Sequence, residues 1–164
     1  MSIPDRQLSL QPLKETRAKI EEILPGIDPQ KRVYPDWTIK ELLAHMSGWD
    51  EATIDILRSH NLGRPPSLKP IHDLDAYNKQ TVSSRQDLTY EQVIKEWRFT
   101  RQVLCSLIED LPEEKFLSPV IVPWGGKSTV IFIMDMFRNH EEEHYQDIVK
   151  WLDKSENHFK MKGK

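Results

Sequence analysis

His140 and His144 stand four residues apart in a stretch whose other regular positions are apolar. Val130, Ile133, Phe137, His140, His144, Ile148 and Trp151 follow one another in steps of three and four, the period of one helix face. Imidazoles at i and i+4 lie about one turn apart on the same side. Helices use that spacing to present nitrogen ligands to a divalent metal. An earlier stretch carries the same anomaly, because Leu42, His45, Trp49, Ala52 and Ile56 form a stripe whose polar member is His45. Burying an imidazole in an apolar layer is unfavourable unless each nitrogen finds a partner. One such histidine alone reads as a hydrogen-bonded core residue. Three of them on two core stripes read as ligands of a shared metal. Three neutral imidazoles leave coordination positions open, where water or a thiol is held deprotonated as a nucleophile.

The run His140-Glu141-Glu142-Glu143-His144 also matches H-E-x-x-H, the metalloprotease helix whose glutamate is a general base. The surrounding sequence argues against that chemistry. The extended glycine-containing third-ligand pattern is absent, and no strand is expected to hold a peptide. The three glutamates read mainly as surface charge, with one available to orient a ligating imidazole. His60, His72 and His158 fall at a helix end, in a loop and in the tail, and are expected to be solvated. Cys105, the single cysteine, lies between Leu104 and Leu107 and reads as a small buried apolar residue rather than a catalytic thiol.

Four amphipathic helices are expected to position these residues. The first spans about Leu8 to Leu24, with Leu10, Leu13, Arg17, Ile20 and Leu24 on its stripe, and ends at Pro25-Gly26. The second opens with capping-box spacing, Thr38-Ile39-Lys40-Glu41, and runs to about Asn61. The third opens with another such box, Thr89-Tyr90-Glu91-Gln92, and runs to about Asp110 with Val93, Trp97, Leu104, Leu107 and Leu111 on its stripe. The fourth spans about Ser128 to Asp153, after Trp124-Gly125-Gly126. The connection from Gly63 to Leu88 is long for a bundle and offers a short helix over Asp73 to Ser84, containing Tyr77-Asn78. Val120-Ile121-Val122 reads as a packed loop, and no segment reads as a strand. Four apolar stripes bury one another best as an all-α four-helix bundle. Residues 1–154 are expected to form this single domain, and 155–164 a flexible polar tail.

The chain has 164 residues, with 23 basic and 26 acidic side chains and a formal net charge of -3. The mixed charge excludes the basic stripe that a nucleic-acid binder needs. No apolar run approaches the ~20 residues of a membrane span. Met1 to Gln7 lack the pattern of a signal peptide. A lone cysteine forms no internal disulfide. A cytoplasmic protein that binds neither nucleic acid nor membrane is therefore expected.

Two segments carry a family resemblance. Trp37-Thr38-Ile39-Lys40-Glu41-Leu42-Leu43-Ala44-His45-Met46-Ser47-Gly48-Trp49 resembles the second helix of the DinB/YfiT-like superfamily. Asn139-His140-Glu141-Glu142-Glu143-His144-Tyr145-Gln146-Asp147-Ile148 resembles its fourth-helix H-x-x-x-H signature. The resemblance implies a four-helix bundle with a long connection between helices 2 and 3. It also implies zinc or nickel on the histidines matching His45, His140 and His144. Characterised members include mycothiol- or bacillithiol-dependent transferases, a glutathione-type isomerase and amidohydrolase-like enzymes, and dimers are common. Gly48-Trp49, the Tyr77-Asn78 region and the third helix also resemble the DfsB/ClbS branch, linked to protection against a reactive bacterial metabolite. Some members of that branch lack the histidine triad that this chain keeps, which favours metal chemistry here. The expectation is a metal-dependent hydrolase or low-molecular-weight-thiol transferase on a small molecule, in a detoxification or stress role. The alternatives are a non-catalytic sequestering protein and a structural metalloprotein. Trp49, Asn78 and Tyr145 are expected on the pocket wall.

Overall fold

The computed structural model describes the backbone of residues 6–162 and the side chains of residues 6–155. The stretch 1–5, and the side chain of His158, lie outside the described residues. In chain order the elements are α1 (Arg6–Ile23), α2 (Ile39–Asn61), α3 (Leu74–Ser83), α4 (Tyr90–Asp110), α5 (Glu113–Leu117), β1 (Val120–Ile121), β2 (Lys127–Ser128) and α6 (Val130–Lys162). Contacts divide the chain into two compact units, one of residues 1–39 with 134–164 and one of residues 40–133. No helix among the described residues is long and apolar enough to cross a membrane.

In the first unit, α1 buries the anticipated stripe of Leu10, Leu13, Arg17 and Ile20, and a 3-10 turn at Leu24–Gly26 stops it. Proline there removes the donor that another helical turn would need. Arg17 is tolerated in the stripe because its guanidinium pairs with Glu141 of α6. Two residues on from Arg17, Lys19 meets Glu142 of α6 at 3.0 Å. Between α1 and α2 the chain makes a tight loop. Val33 and Tyr34 both donate backbone N–H groups to Trp37, Trp37 donates back to Tyr34, and Arg32 bridges Thr38.

In the second unit, α2 is buried along most of its length. Leu42 and Ile56 occupy the expected stripe, while Leu43, Met46 and Leu57 are buried on a second face. On that second side Asp50, wholly buried, receives Arg101 of α4 at 2.7 and 3.3 Å and the Thr100 hydroxyl at 3.2 Å. The Trp97 indole N–H donates to Met46 Sδ at 3.3 Å. The Thr89–Gln92 capping box opens α4, each side chain bonding the other's backbone N–H. The α4 stripe turns through Ile108 rather than Leu107, which stays partly exposed. Cys105 is buried.

The 2-3 connection folds onto α2 through α3, which Asp73 caps by accepting from the Ala76 N–H. Gly48 makes this possible, since a Cβ there would meet Thr81 at 2.3 Å. The Tyr77 hydroxyl donates to the Gly48 carbonyl at 2.7 Å.

Three expectations need correction. Val120–Ile121 is a strand, paired antiparallel with Lys127–Ser128, because Gly125 and Gly126 adopt φ of 93° and 81° and let the chain reverse. His60 is not simply solvated, because its Nε2 lies 2.9 Å from the Lys115 carbonyl and 3.2 Å from Ser118 Oγ, at the end of α5. The last helix continues past Asp153, to Lys162. His72 is exposed as expected.

Candidate metal centre

His140 and His144 lie on α6, and helical geometry brings their rings within one turn. Their centroids are 4.4 Å apart, their planes 70° apart, and Nε2 of one lies 3.0 Å from Nε2 of the other. Glu141 is buried and engaged by Arg17, Glu142 takes Lys19 and Gln146, and Glu143 is exposed. Glu141 therefore departs from the expectation of a surface charge.

The other edge of His144 is held from the loop before α2. Tyr34 Oη lies 2.7 Å from His144 Nδ1 and donates to Asp147 Oδ2 at 3.0 Å. The tyrosine ring stands edge-on to the imidazole, at 5.7 Å and 89°. Burial, the neighbouring His140 and, against them, Glu141 together lower the His144 pKa to about 3. His144 is therefore a neutral imidazole at physiological pH, the form a metal requires. Sequence reasoning missed Tyr34, which has no periodic signal and lies 110 positions from its partner.

His45, on α2, is 4 % exposed. Two imidazoles on one helix face, one of them held neutral by its surroundings, suit a borderline divalent ion such as zinc or nickel.

One turn beyond His45, Trp49 joins an aromatic cluster. Its ring meets Tyr77 at 4.9 Å and Trp124 at 6.4 Å, and its indole N–H donates to Asn78 Oδ1 at 2.9 Å. Trp49 and Asn78 are thus fixed to each other. Tyr145, the third residue expected at the pocket, lies beneath the Lys19 ammonium at 5.6 Å.

The chain matches the DinB superfamily over residues 2–148. No curated protein matches its sequence. Solved structures show the same fold at low identity. An uncharacterised protein from Escherichia coli UTI89 superposes with a TM-score of 0.76 at 17% identity, over 95% of this chain and 98% of that one. The structure described as sibling lethal factor precursor, DfsB, gives 0.75 at 18%, over 93% and 97%. A mycothiol-dependent maleylpyruvate isomerase gives 0.73 at 14%, over 88% of this chain, which spans only 60% of the isomerase. With the sequence match running through both histidine-bearing helices and the likeness of fold, this chain belongs to the DinB superfamily of helical-bundle proteins.

Proposed function

We propose that the protein is a divalent-metal-dependent enzyme acting on a small molecule, with His45, His140 and His144 as the metal ligands. The observation that carries this reading is the pairing of His140 and His144 on one helix face with their Nε2 atoms 3.0 Å apart, and His45 joins them as the third ligand on the family resemblance. A divalent ion with three imidazole ligands keeps open positions and deprotonates water or a thiol near neutral pH. The protein's own part is to keep the ligands neutral and the aromatic side chains in place. His144 is held neutral by burial and by His140. Trp49, tied to Asn78, supplies a fixed apolar wall one turn from His45. The likeness to a mycothiol-dependent isomerase supports a low-molecular-weight thiol as nucleophile, and water is the simpler alternative.

A second reading is a non-catalytic protein that sequesters a reactive small molecule. It draws on the likeness to DfsB, which extends over 97% of that chain. The two readings separate in a turnover assay with small electrophiles and amides, using tag-free protein loaded with zinc or nickel. Mycothiol, bacillithiol, glutathione or water is supplied as nucleophile. Turnover that vanishes on metal removal supports the enzyme. Stoichiometric binding without turnover in every combination supports sequestration.

A further inference from the structure

We propose that Tyr34 and Asp147 are positioning residues that fix His144 as its Nδ1–H tautomer, so that its Nε2 is the atom offered to a metal. The inference rests on the metal reading above but concerns a proton whose place is measurable without metal.

The argument is a count of protons. A tyrosine hydroxyl has one proton to donate, and a carboxylate only accepts. Asp147 Oδ2 is 3.0 Å from Tyr34 Oη and takes that proton's hydrogen bond. The Lys150 ammonium lies 3.9 Å from the other oxygen, Asp147 Oδ1. At 2.7 Å from His144 Nδ1, the Tyr34 oxygen is then left to accept, so Nδ1 must carry the hydrogen. A neutral imidazole has one N–H, and Nε2 is therefore bare. That bare nitrogen is the one facing His140 Nε2 at 3.0 Å.

The relay is built from rigid parts. Tyr34 sits in the loop closed by its own backbone exchange with Trp37 and by the Arg32–Thr38 bridge. Asp147 is three residues beyond His144 and shares its helix face. A carboxylate acting through a hydroxyl on the far nitrogen of a ligating imidazole fixes the ring and raises its basicity.

The test is long-range nitrogen–proton NMR of the metal-free protein, together with zinc affinity by chelator competition. The wild type should show His144 protonated on Nδ1. In Asp147→Ala the Tyr34 proton is free to turn toward Nδ1, and the tautomer should move toward Nε2–H. Zinc affinity should fall about 10–100-fold in Asp147→Ala and in Tyr34→Phe. Asp147→Glu, which restores a carboxylate, should recover part of that loss. A wild-type His144 protonated on Nε2 overturns the proposal, as does unchanged zinc affinity in both variants. A wild type that shows Nδ1–H yet binds no zinc overturns the metal reading and leaves the tautomer assignment standing.

Discussion

The Nε2 atoms of His140 and His144 face each other at 3.0 Å. Two N–H groups cannot share that distance, and two bare lone pairs repel. With the His144 tautomer proposed above, His140 would donate an Nε2 hydrogen to the bare Nε2 of His144 in the metal-free protein. A bound metal would be held by the two rings in place of that proton. Removing either ring removes a ligand rather than an outer partner, whose loss alone is worth about 10–100-fold. His140→Ala and His144→Ala should each lower zinc affinity by more than about 100-fold. His72→Ala, at an exposed position, should not change it. Chelator competition monitored by fluorescence reads both results.

Asp50 and Arg101 form a buried pair in which each satisfies the other. Truncating one leaves an uncompensated buried charge, a loss of about 3–5 kcal/mol. Asp50→Ala should show that loss in urea denaturation. Asp50→Leu combined with Arg101→Met should be markedly more stable than the single variant, because no charge is then stranded.

Gly48 lets α3 approach α2, and an added methyl group would stand 2.3 Å from Thr81 Cγ2. Gly48→Ala should destabilise the fold by about 1–3 kcal/mol through overpacking, despite alanine's higher helix propensity. It should also loosen the Trp49–Asn78 bond, seen as altered indole fluorescence.

Tyr77 gives the fold a signature in alkali. Burial first, and the charge of Glu51 second, push its pKa up to about 12, with Arg85 opposing. The folded state thus holds the phenol proton more tightly than the unfolded chain, whose tyrosine titrates near 10. Stability from this group is complete below about pH 10 and is lost as pH rises toward 12. Urea midpoints measured over that range should fall less steeply in Tyr77→Phe than in the wild type. At neutral pH the variant should be less stable by about 1 kcal/mol, for the lost bond to the Gly48 carbonyl.

The helices and the histidine stripes were legible because apolar residues repeat every three to four positions and His45, His140 and His144 interrupt that repeat. The same stripes implied the bundle and the long Gly63–Leu88 connection, and the family resemblance added zinc or nickel as the expected metal. What escaped was the polar pairing across elements. Glu141, Glu142 and Glu143 look alike in sequence, yet successive residues turn about 100° around a helix. Only Glu141 is buried, against Arg17, while Glu142 meets Lys19 nearer the surface and Glu143 is exposed, and Arg17 on the α1 stripe was the available hint. Asp50 sits beside Glu51 and reads as surface until Arg101 is found opposite it. Tyr34 is harder still, because no local pattern connects a short loop to a helix 110 residues away. The β1–β2 hairpin is too short for alternation to announce it, and only Gly125-Gly126 marks its turn.

The central claim is that His45, His140 and His144 hold one divalent metal. Metal content of tag-free protein, by native mass spectrometry with elemental analysis, tests it most directly. One zinc or nickel ion per chain is expected, removed by chelator with a fall in thermal stability and absent from His144→Ala. Protein that carries no metal at any stage, with a melting temperature unmoved by chelator or by added zinc or nickel, would contradict the account.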